Sequence, residues 1–431
     1  MRRLLACILM VAMLLSGTAL AETTINPNED RGIKVGVAEG NPSVDGISPT
    51  TGRALSSLEI PVGANGLAVS GRYLPMMVQI SNPLNSSGSK KHPATNSAGG
   101  GTKAPWGVQY ADIMYEQQLH SNGETRLTAL FSDVIPEAVG PIRSARLGHI
   151  WLREEWNGGF MYYGQQTYTQ TNVIEWLNML GATYKGVCFP GAVGEAKPWM
   201  NYYEQYKSKY LNSNLKNPDH VSGNAAEISK MVPPDVTPIN HTMLFTTEPF
   251  TGGDSGMSVK VNWQSSVKSG FNDTFIYNTE IGKYERYVSS TSSTSKKPKT
   301  TLWKELETQE ALTFDNVIIQ WTPTVFKGKD APVVINAKVD IYGESYPGEG
   351  NADIFMNGRH IAGYWKRGGY TKGTEASFKV KYSGKTYTQS WLQENMASRT
   401  VFYDENGEEI QFQVGKTFIV QCPLEKPVTY E

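Results

Sequence analysis

The chain has 431 residues, of which 40 are Lys or Arg and 41 are Asp or Glu, so its formal net charge at neutral pH is −1. This near-neutral balance argues against the strongly basic character that is typical of nucleic-acid-binding proteins, and we expect no nucleic-acid partner. A chain of this length predicts two domains and an additional tail.

The first 21 residues have the three parts of a secretory signal peptide. Arg2 and Arg3 form the charged start, residues 4–15 the apolar core and residues 19–21 the small-residue cleavage site. We expect cleavage after Ala21, which lowers the net charge to −3 because it removes two arginines and no acidic residue. The apolar run is too short to cross a bilayer, and no later run is long enough. The mature chain is therefore predicted to be secreted or extracytoplasmic, with no transmembrane segment.

The N-terminal half predicts a lead-in followed by a layered domain. Residues 22–70 are rich in Asn, Pro, Gly and Ser without periodicity, which predicts an extended or disordered segment. Residues 71–250 predict a layered α/β domain because strand patterns alternate there with helical ones. The predicted strands lie at 76–82, 108–119, 125–131 and 160–163, the predicted helices at 171–180, 199–211 and 225–231, and a flexible loop at 83–104.

The pattern changes after about residue 250, where the hydrophobic period becomes two and helical patterns disappear. Residues 251–428 therefore predict a mostly antiparallel β domain, with a Ser/Thr/Lys loop at 289–300. Asn357-Gly358 and Asn406-Gly407 predict hairpin turns. Strands are predicted at 316–321, 333–342, 352–356, 360–365, 378–382, 400–403, 409–412 and 417–421. The fold class expected for the whole chain is α+β.

The stretch from Gly140 to Trp156 is the strongest candidate for a functional site. Gly140-Pro141 predicts a helix start with proline at the first helical position. Arg143 and Arg146 then fall in the first turn, where the helix dipole is already positive and an exposed like charge costs roughly 0.3–1 kcal/mol. Two cations in that place require a negative counterpart, which is either a carboxylate of the chain or an anionic ligand.

The neighbouring predicted strands supply carboxylates for the same site. Asp112 and Glu116 alternate onto one strand face, Arg126 opens the next strand, and His149 follows Arg146 by three residues. Three interpretations remain open. The arginines hold an anionic ligand and the carboxylates orient them; Glu116 or Asp112 is a general acid or base; or the charges form a structural salt-bridge network.

No cofactor or metal site is predicted from the sequence. The six histidines show no metal-ligand spacing such as HExxH, and no phosphate-binding P-loop is present. After removal of the signal peptide two cysteines remain, Cys188 and Cys422. The sequence leaves open whether they form a disulfide or stay as buried thiols.

Several blocks of the sequence are similar to those of a known bacterial family. The N-terminal blocks are Tyr-Ala-Asp-Ile-Met-Tyr-Glu at 110–116, Gly-Glu-Thr-Arg-Leu at 123–127 and Gly-Pro-Ile-Arg-Ser-Ala-Arg at 140–146, and the C-terminal blocks lie at 316–319, 363–366 and 406–417. In these blocks the chain resembles the YerB-like family of bacterial lipoproteins, which has paired N- and C-terminal domains of unknown function. The resemblance covers residues 72–425 and implies an exported two-domain protein, without an established reaction or catalytic residues.

Two departures from the family pattern limit what the resemblance implies. No cysteine follows the signal peptide where family members carry a lipid anchor, so a lipoprotein anchor is not implied for this chain. The Pro-His-Asn block of the family is replaced by residues 218–224, Pro-Asp-His-Val-Ser-Gly-Asn.

These observations predict a secreted, cell-envelope-associated protein that binds an anionic or cell-wall-derived ligand at an arginine-lined pocket of its N-terminal half. The predicted ligand-binding residues are Arg126, Arg143, Arg146, Glu116, Asp112 and His149. One alternative is a cell-wall hydrolase with Glu116 as general acid. The other is a scaffold protein in which the same charges form a salt-bridge network.

Overall fold

A computed structural model gives the structure of most of the chain. It describes residues 22–36, 41, 43–58, 73–82, 105–120, 123–167, 172–179, 186–191, 197–202, 221–236, 238, 242–264, 271–290, 299–305, 308–326, 332–341, 344–367, 375–382, 385–392 and 399–431. The predicted signal peptide, the loop predicted at 83–104 and most of the loop predicted at 289–300 lie outside the described residues.

An eleven-stranded mixed sheet, built from both halves of the chain, forms the centre of the molecule. In order across the sheet its strands are β10 (Asp254–Ser255), β22 (Arg359–Arg367), β21 (Glu349–Met356), β16 (Asn316–Thr322), β27 (Thr417–Pro423), β3 (Ile113–Gln118), β4 (Thr125–Phe131), β2 (Met76–Asn82), β5 (Gly159–Tyr163) and β6 (Cys188–Gly191), with β25 (Thr400–Tyr403) paired to β22. Strand β27 pairs in parallel with β16 on one side and with β3 on the other. Two segments from opposite halves of the chain therefore meet at the centre of one sheet.

A smaller sheet packs against one face of the large one. Its strands, in order, are β1 (Thr23–Thr24), β28 (Val428–Tyr430), β11 (Ser258–Gln264), β12 (Phe271–Asn278), β13 (Lys283–Ser290) and β14 (Lys299–Leu302), with β15 (Thr313–Phe314) also paired to β13. The rings of Phe275 in β12 and Phe418 in β27 lie 4.8 Å apart, so the inner faces of the two sheets are in direct contact. Buried and partly exposed residues alternate along β11, as is typical of a sheet with one face in solvent.

Five strand pairs complete the β structure of the described residues. They are β7 (Met200–Tyr202) with β8 (Val221–Gly223), β9 (Leu244–Thr246) with β26 (Gln411–Gln413), β17 (Thr324–Phe326) with β18 (Pro332–Val334), β19 (Lys338–Ile341) with β20 (Glu344–Pro347), and β23 (Glu375–Tyr382) with β24 (Lys385–Leu392).

Helices cover the other face of the large sheet. They are α1 (Leu147–Trp156), α2 (Val173–Met179) and α3 (Ala225–Met231), with 3-10 turns at Leu55–Ser57 and Val108–Tyr110. All ten residues of α1 are buried, and the Trp156 indole donates a 2.9 Å hydrogen bond to the Tyr115 hydroxyl of β3. No helix among the described residues is long and apolar enough to span a membrane.

The start of the described chain is bound to its far end. Strand β1 pairs with β28, and the Arg31 guanidinium makes an ion pair of 2.9 Å with the buried Asp353 carboxylate of β21. The same guanidinium donates to the carbonyl oxygens of Ala352 and Gly363. Residues 22–36 therefore form part of the packed structure of the C-terminal half.

The α+β fold class predicted from the sequence is confirmed, and so are most predicted elements. The predicted helix at 199–211 is wrong over Met200–Tyr202, which forms β7 because its backbone pairs with Val221–Gly223. The rest of that range lies outside the described residues. Cys188 and Cys422 are both free thiols in the structure.

Candidate functional site

The helix predicted to start at Pro141 begins six residues later. Residues 139–145 are extended because their N–H groups donate outside the segment, as sheet residues do: Ile142 to the Val221 carbonyl oxygen and Arg143 to that of Gln79. The helix α1 begins only at Leu147. The prediction of a first helical turn carrying Arg143 and Arg146 is therefore wrong.

The structure nevertheless brings both arginines close to Arg126. Arg143 lies on the extended segment, where its Nε donates to the Ser81 hydroxyl of β2 at 3.3 Å. Arg146 is the N-cap residue of α1, and its guanidinium donates to the Ala145 carbonyl oxygen at 2.9 Å. Ser81 lies opposite Arg126 in the β2–β4 pair, so Arg143 lies beside Arg126, and the charges of Arg143 and Arg146 both lower the pKa of Arg126. These three cations form one cluster.

Arg126 is the most deeply buried member of this cation cluster. It lies in β4 opposite Gln117 of β3, on the helix-covered face of the sheet, with 7% of its surface exposed. No described residue accepts a hydrogen bond from its Nε or Nη1. Burial is the largest cause that lowers the pKa of Arg126 far below its usual range, followed by Arg146 and Arg143, while the charge of Glu124 acts in the opposite direction.

His149 adds a neutral donor to the same cluster. Its Nδ1 accepts the backbone N–H of Arg146 at 3.0 Å, which caps the first turn of α1. Burial, followed by the charges of Arg126 and Arg146, lowers the pKa of His149 well below its ordinary value. The imidazole is therefore neutral with its proton on Nε2, and no described residue accepts from that nitrogen.

Glu116 does not join the cation cluster. Because side chains alternate along a strand, Glu116 lies on the face opposite to that of Gln117 and Arg126. There it accepts hydrogen bonds from Asn82 and Thr125 and makes a 3.2 Å ion pair with Arg286 of β13. The expectation that Glu116 orients the cluster arginines is wrong.

The surroundings of Glu116 also argue against a general-acid role. The side chain is fully buried between the two sheets. Burial, and then the nearby charge of Asp273, raises its pKa well above the usual value, while Arg286 acts in the opposite direction. A general acid must reach the proton acceptor of its substrate, and the Glu116 carboxyl is instead surrounded by protein groups.

Asp112 lies immediately before β3, at the end opposite to the cation cluster, so the expectation that it orients Arg126 is also wrong. One oxygen, Oδ2, accepts four hydrogen bonds, at 2.6 and 2.7 Å from the backbone N–H and hydroxyl of Ser132, 3.0 Å from the Asp133 N–H and 3.1 Å from the Thr50 hydroxyl. Burial, followed by the charge of Asp133, raises the pKa of Asp112 to about 7.

Asp112 lines a cleft of about 400 Å³ whose other charged residues the sequence did not point to. They are Asp133, Arg53 and Lys416. Burial and the charge of Arg53 lower the pKa of Lys416 to about 8. Nothing local in the sequence connects residues 53, 133 and 416, because the fold alone brings them together. Among the described residues no group of three or more His, Cys, Asp or Glu side chains has metal-site geometry.

Two family models match the chain. The N-terminal domain of a protein family of unknown function, DUF3048, matches residues 96–217, and the C-terminal domain of the same family matches residues 259–379. The chain belongs to the DUF3048 family. The cation cluster falls within the N-terminal match, whereas Glu116 is bonded to Arg286 from the C-terminal match. The resemblance to YerB-like proteins inferred from the sequence blocks is confirmed.

A solved structure has a similar fold. The crystal structure of the YerB protein from Bacillus subtilis matches with 18% sequence identity and a TM-score of 0.53, covering 87% of this chain and 95% of that one. At this identity the likeness extends to the fold alone. No curated protein matches the chain.

Proposed function

We propose that this DUF3048 protein is an exported, cell-envelope-associated binding protein that takes up an anionic group at its cation cluster. The cluster consists of Arg126, Arg143, Arg146 and His149. The observation that carries the proposal is Arg126, a residue that is 93% buried and whose guanidinium has two nitrogen atoms, Nε and Nη1, without an acceptor among the described residues.

The energetic argument is that a buried cation with unsatisfied donors is costly. Leaving a buried donor unsatisfied costs about 1–3 kcal/mol, and more for a charged group. A carboxylate or phosphate accepts several such bonds at once and pairs with guanidinium groups in a planar geometry. The neutral His149 supplies a further donor, and the N-terminus of α1 adds partial positive charge at the same place.

The ligand proposed for the cluster carries a carboxylate or a phosphate. An envelope location makes a sugar acid of the cell wall one source of such a group, and free phosphate is another. The two sources are distinguished by measuring the melting temperature of the full chain with N-acetylmuramic acid and, separately, with inorganic phosphate. We expect at least one of them to raise the melting temperature.

The variant Arg126→Met tests which group does the binding. Methionine keeps the length of the buried side chain without charge or donors, so we expect the ligand-dependent shift to disappear. Without ligand, we expect the free energy of unfolding to rise by about 1–3 kcal/mol, because unsatisfied donors are removed. The matched control is Lys230→Met on α3, whose side chain is 61% exposed and which should change neither quantity.

Two results would contradict this proposal. A ligand-dependent shift that persists in Arg126→Met would mean that the anion binds elsewhere. A large loss of stability in ligand-free Arg126→Met would instead support the salt-bridge scaffold, because removing one partner of a buried ion pair is strongly destabilising.

A further inference from the structure

The cleft at the end of β3 is independent of the cation cluster and has a different charge arrangement. Asp112 and Asp133 form one wall, and Arg53 and Lys416 lie on the same cleft of about 400 Å³. The volume falls in the range of small-molecule sites. Both acidic and basic groups therefore line one cleft.

The Asp112 carboxylate is held so that one oxygen is left for the cleft. The side chain is 97% buried, and all four of its hydrogen bonds go to Oδ2. No hydrogen bond from a described residue reaches Oδ1, and that oxygen is not sealed in the interior. Carboxylate oxygens have about four acceptor sites between them. Oδ2 of Asp112 is therefore fully used by the protein, whereas Oδ1 can accept hydrogen bonds from a ligand.

The second carboxylate is fixed in the same rigid manner. Asp133 accepts the Ser48 hydroxyl on Oδ1 and the Thr51 hydroxyl on Oδ2. Neither Asp112 nor Asp133 makes an ion pair with a described basic side chain. Among the described residues no cation is bonded to either acid, since the Lys416 ammonium donates to the Gln109 carbonyl oxygen, although the charge of Arg53 acts on Asp133 and that of Lys416 on Asp112.

The same cleft also carries positive charge near the two acids. The Arg53 side chain is 30% exposed, and its one ion pair among the described residues is a long contact of 3.9 Å with Asp315. Asp315 is already paired with Lys283 at 3.0 Å. The Arg53 guanidinium therefore has donors available for a second carboxylate.

We propose that this cleft binds a small zwitterion of the α-amino-acid type, with its ammonium group against Asp112 and Asp133 and its carboxylate against Arg53. The ammonium supplies a bonded cation, which neither acid has among the described residues, and donates to the open oxygen of Asp112. Apolar side chains of Leu58 and Val134 also line the cleft and suit an aliphatic side chain of the ligand.

Ligand binding is coupled to proton release. In the empty cleft burial and Asp133 raise the pKa of Asp112 to about 7, and the pKa of Asp133 is raised as well. The other charged or titratable groups that act on this pair are Lys416, Arg53 and Tyr73. An ammonium ligand favours the ionised carboxylates, so affinity should fall by up to about tenfold for each pH unit below 7.

The test is calorimetric titration of the full chain at pH 7 with L-leucine. Two analogues each lack one charge: isoamylamine has no carboxylate, and 4-methylpentanoate has no ammonium. We expect leucine to bind with release of protons, measured in buffers of different ionisation enthalpy, and each analogue to bind at least tenfold more weakly. Absence of leucine binding, or equal binding of 4-methylpentanoate, would overturn the proposal.

Two variants locate the binding. Arg53→Gln lies at the exposed rim and Asp112→Asn preserves side-chain volume, and each should weaken leucine binding at least tenfold. Lys230→Gln and Asp254→Asn are the matched controls away from the cleft and should bind as the wild type does. If Asp112→Asn fails to fold, as seen by circular dichroism, Arg53→Gln still decides the outcome, because unchanged leucine binding in that variant contradicts the proposed geometry.

Discussion

Two buried arginines show how much a charge depends on its immediate neighbours. Arg286 of β13 is fully buried with Glu116 at 3.2 Å and Asp273 at 2.8 Å, and it stacks on the Trp303 ring at 4.2 Å. The contact with Asp273 is an ion pair only, because its geometry does not meet that of a hydrogen bond. Arg126, on the helix-covered face of the large sheet, has no such pair of acids among the described residues. The same residue type is therefore predicted to be structural in one place and ligand-binding in the other.

We expect Arg286→Met to destabilise the protein strongly. It would leave Glu116 and Asp273 buried against each other without a cation, and breaking a buried pair typically costs about 3–5 kcal/mol. Urea unfolding gives the free energy of each variant. Arg126→Met is the internal comparison, because its ligand-free stability should move in the opposite direction. Equal losses in the two variants would refute this difference in role.

The pH dependence of stability should reveal the buried Asp112. Its pKa is raised from 3.8 to about 7 in the folded protein, so between these values the folded state binds more protons than the unfolded state. This contribution to stability is therefore present at acid pH and is lost as the pH rises from about 4 to about 7.

Comparison with Asp112→Asn isolates that contribution from other titrating groups, such as His149, whose lowered pKa acts in the opposite sense. We expect the unfolding free energy of the wild type minus that of the variant to decrease over this pH interval and to be flat above it. A difference that is constant with pH would show that Asp112 titrates normally.

At the level of elements, the extended segment 139–145 decides where the cation cluster forms. It runs beside β2 and β8, and a helix over the same residues would lose its bonds to Gln79 and Val221. Gly140 permits this course, because a Cβ there would lie 2.5 Å from the Trp106 ring and 2.8 Å from the Val221 carbonyl oxygen. The glycine that suggested a helix start is in fact needed for close packing.

Gly140→Ala should therefore destabilise the protein. Overpacking of a filled interior typically costs about 1–3 kcal/mol, because ring and backbone must both shift. Gly36→Ala is the matched control, since no atom lies within 4 Å of a Cβ at that position, and its effect should stay within about 0.5 kcal/mol. Thermal unfolding of both variants provides the comparison, and similar melting temperatures would rule out the steric explanation.

At the scale of the whole molecule, the two matched family domains share one sheet. Strand β27, which follows the C-terminal match, pairs with β3 of the N-terminal match and with β16 of the C-terminal match. The Glu116–Arg286 ion pair links the two sheets. We expect the chain to unfold in a single transition, with tryptophan fluorescence and far-UV circular dichroism giving the same midpoint in urea. Two separated midpoints would mean that the halves are independently stable.

The local part of this architecture was predictable from the sequence. The buried strand at 76–82, the helix at 225–231 and the Asn357-Gly358 hairpin are each specified by neighbouring residues, and the structure has them. The pairing of β27 with β3 and the contact between Glu116 and Arg286 join residues about 170 to 300 positions apart, and no local pattern encodes them.

For the candidate sites, the sequence indicated which residues could bind a ligand better than it indicated which of them lie together. It grouped Arg126 with Arg143, Arg146 and His149. It attached Glu116 to that group because strand faces cannot be assigned until the register of β3 and β4 is known.

The position of β27 sets the order in which the chain can be completed. The ribosome releases β3 (residues 113–118) first, then β16 (316–322) and only much later β27 (417–423). In the folded sheet, however, β27 lies between β3 and β16. Until that final segment emerges, two strand edges at the middle of the molecule have no neighbour, and non-local pairing of this kind is slow. The nascent polypeptide is therefore expected to stay unfolded through most of its synthesis.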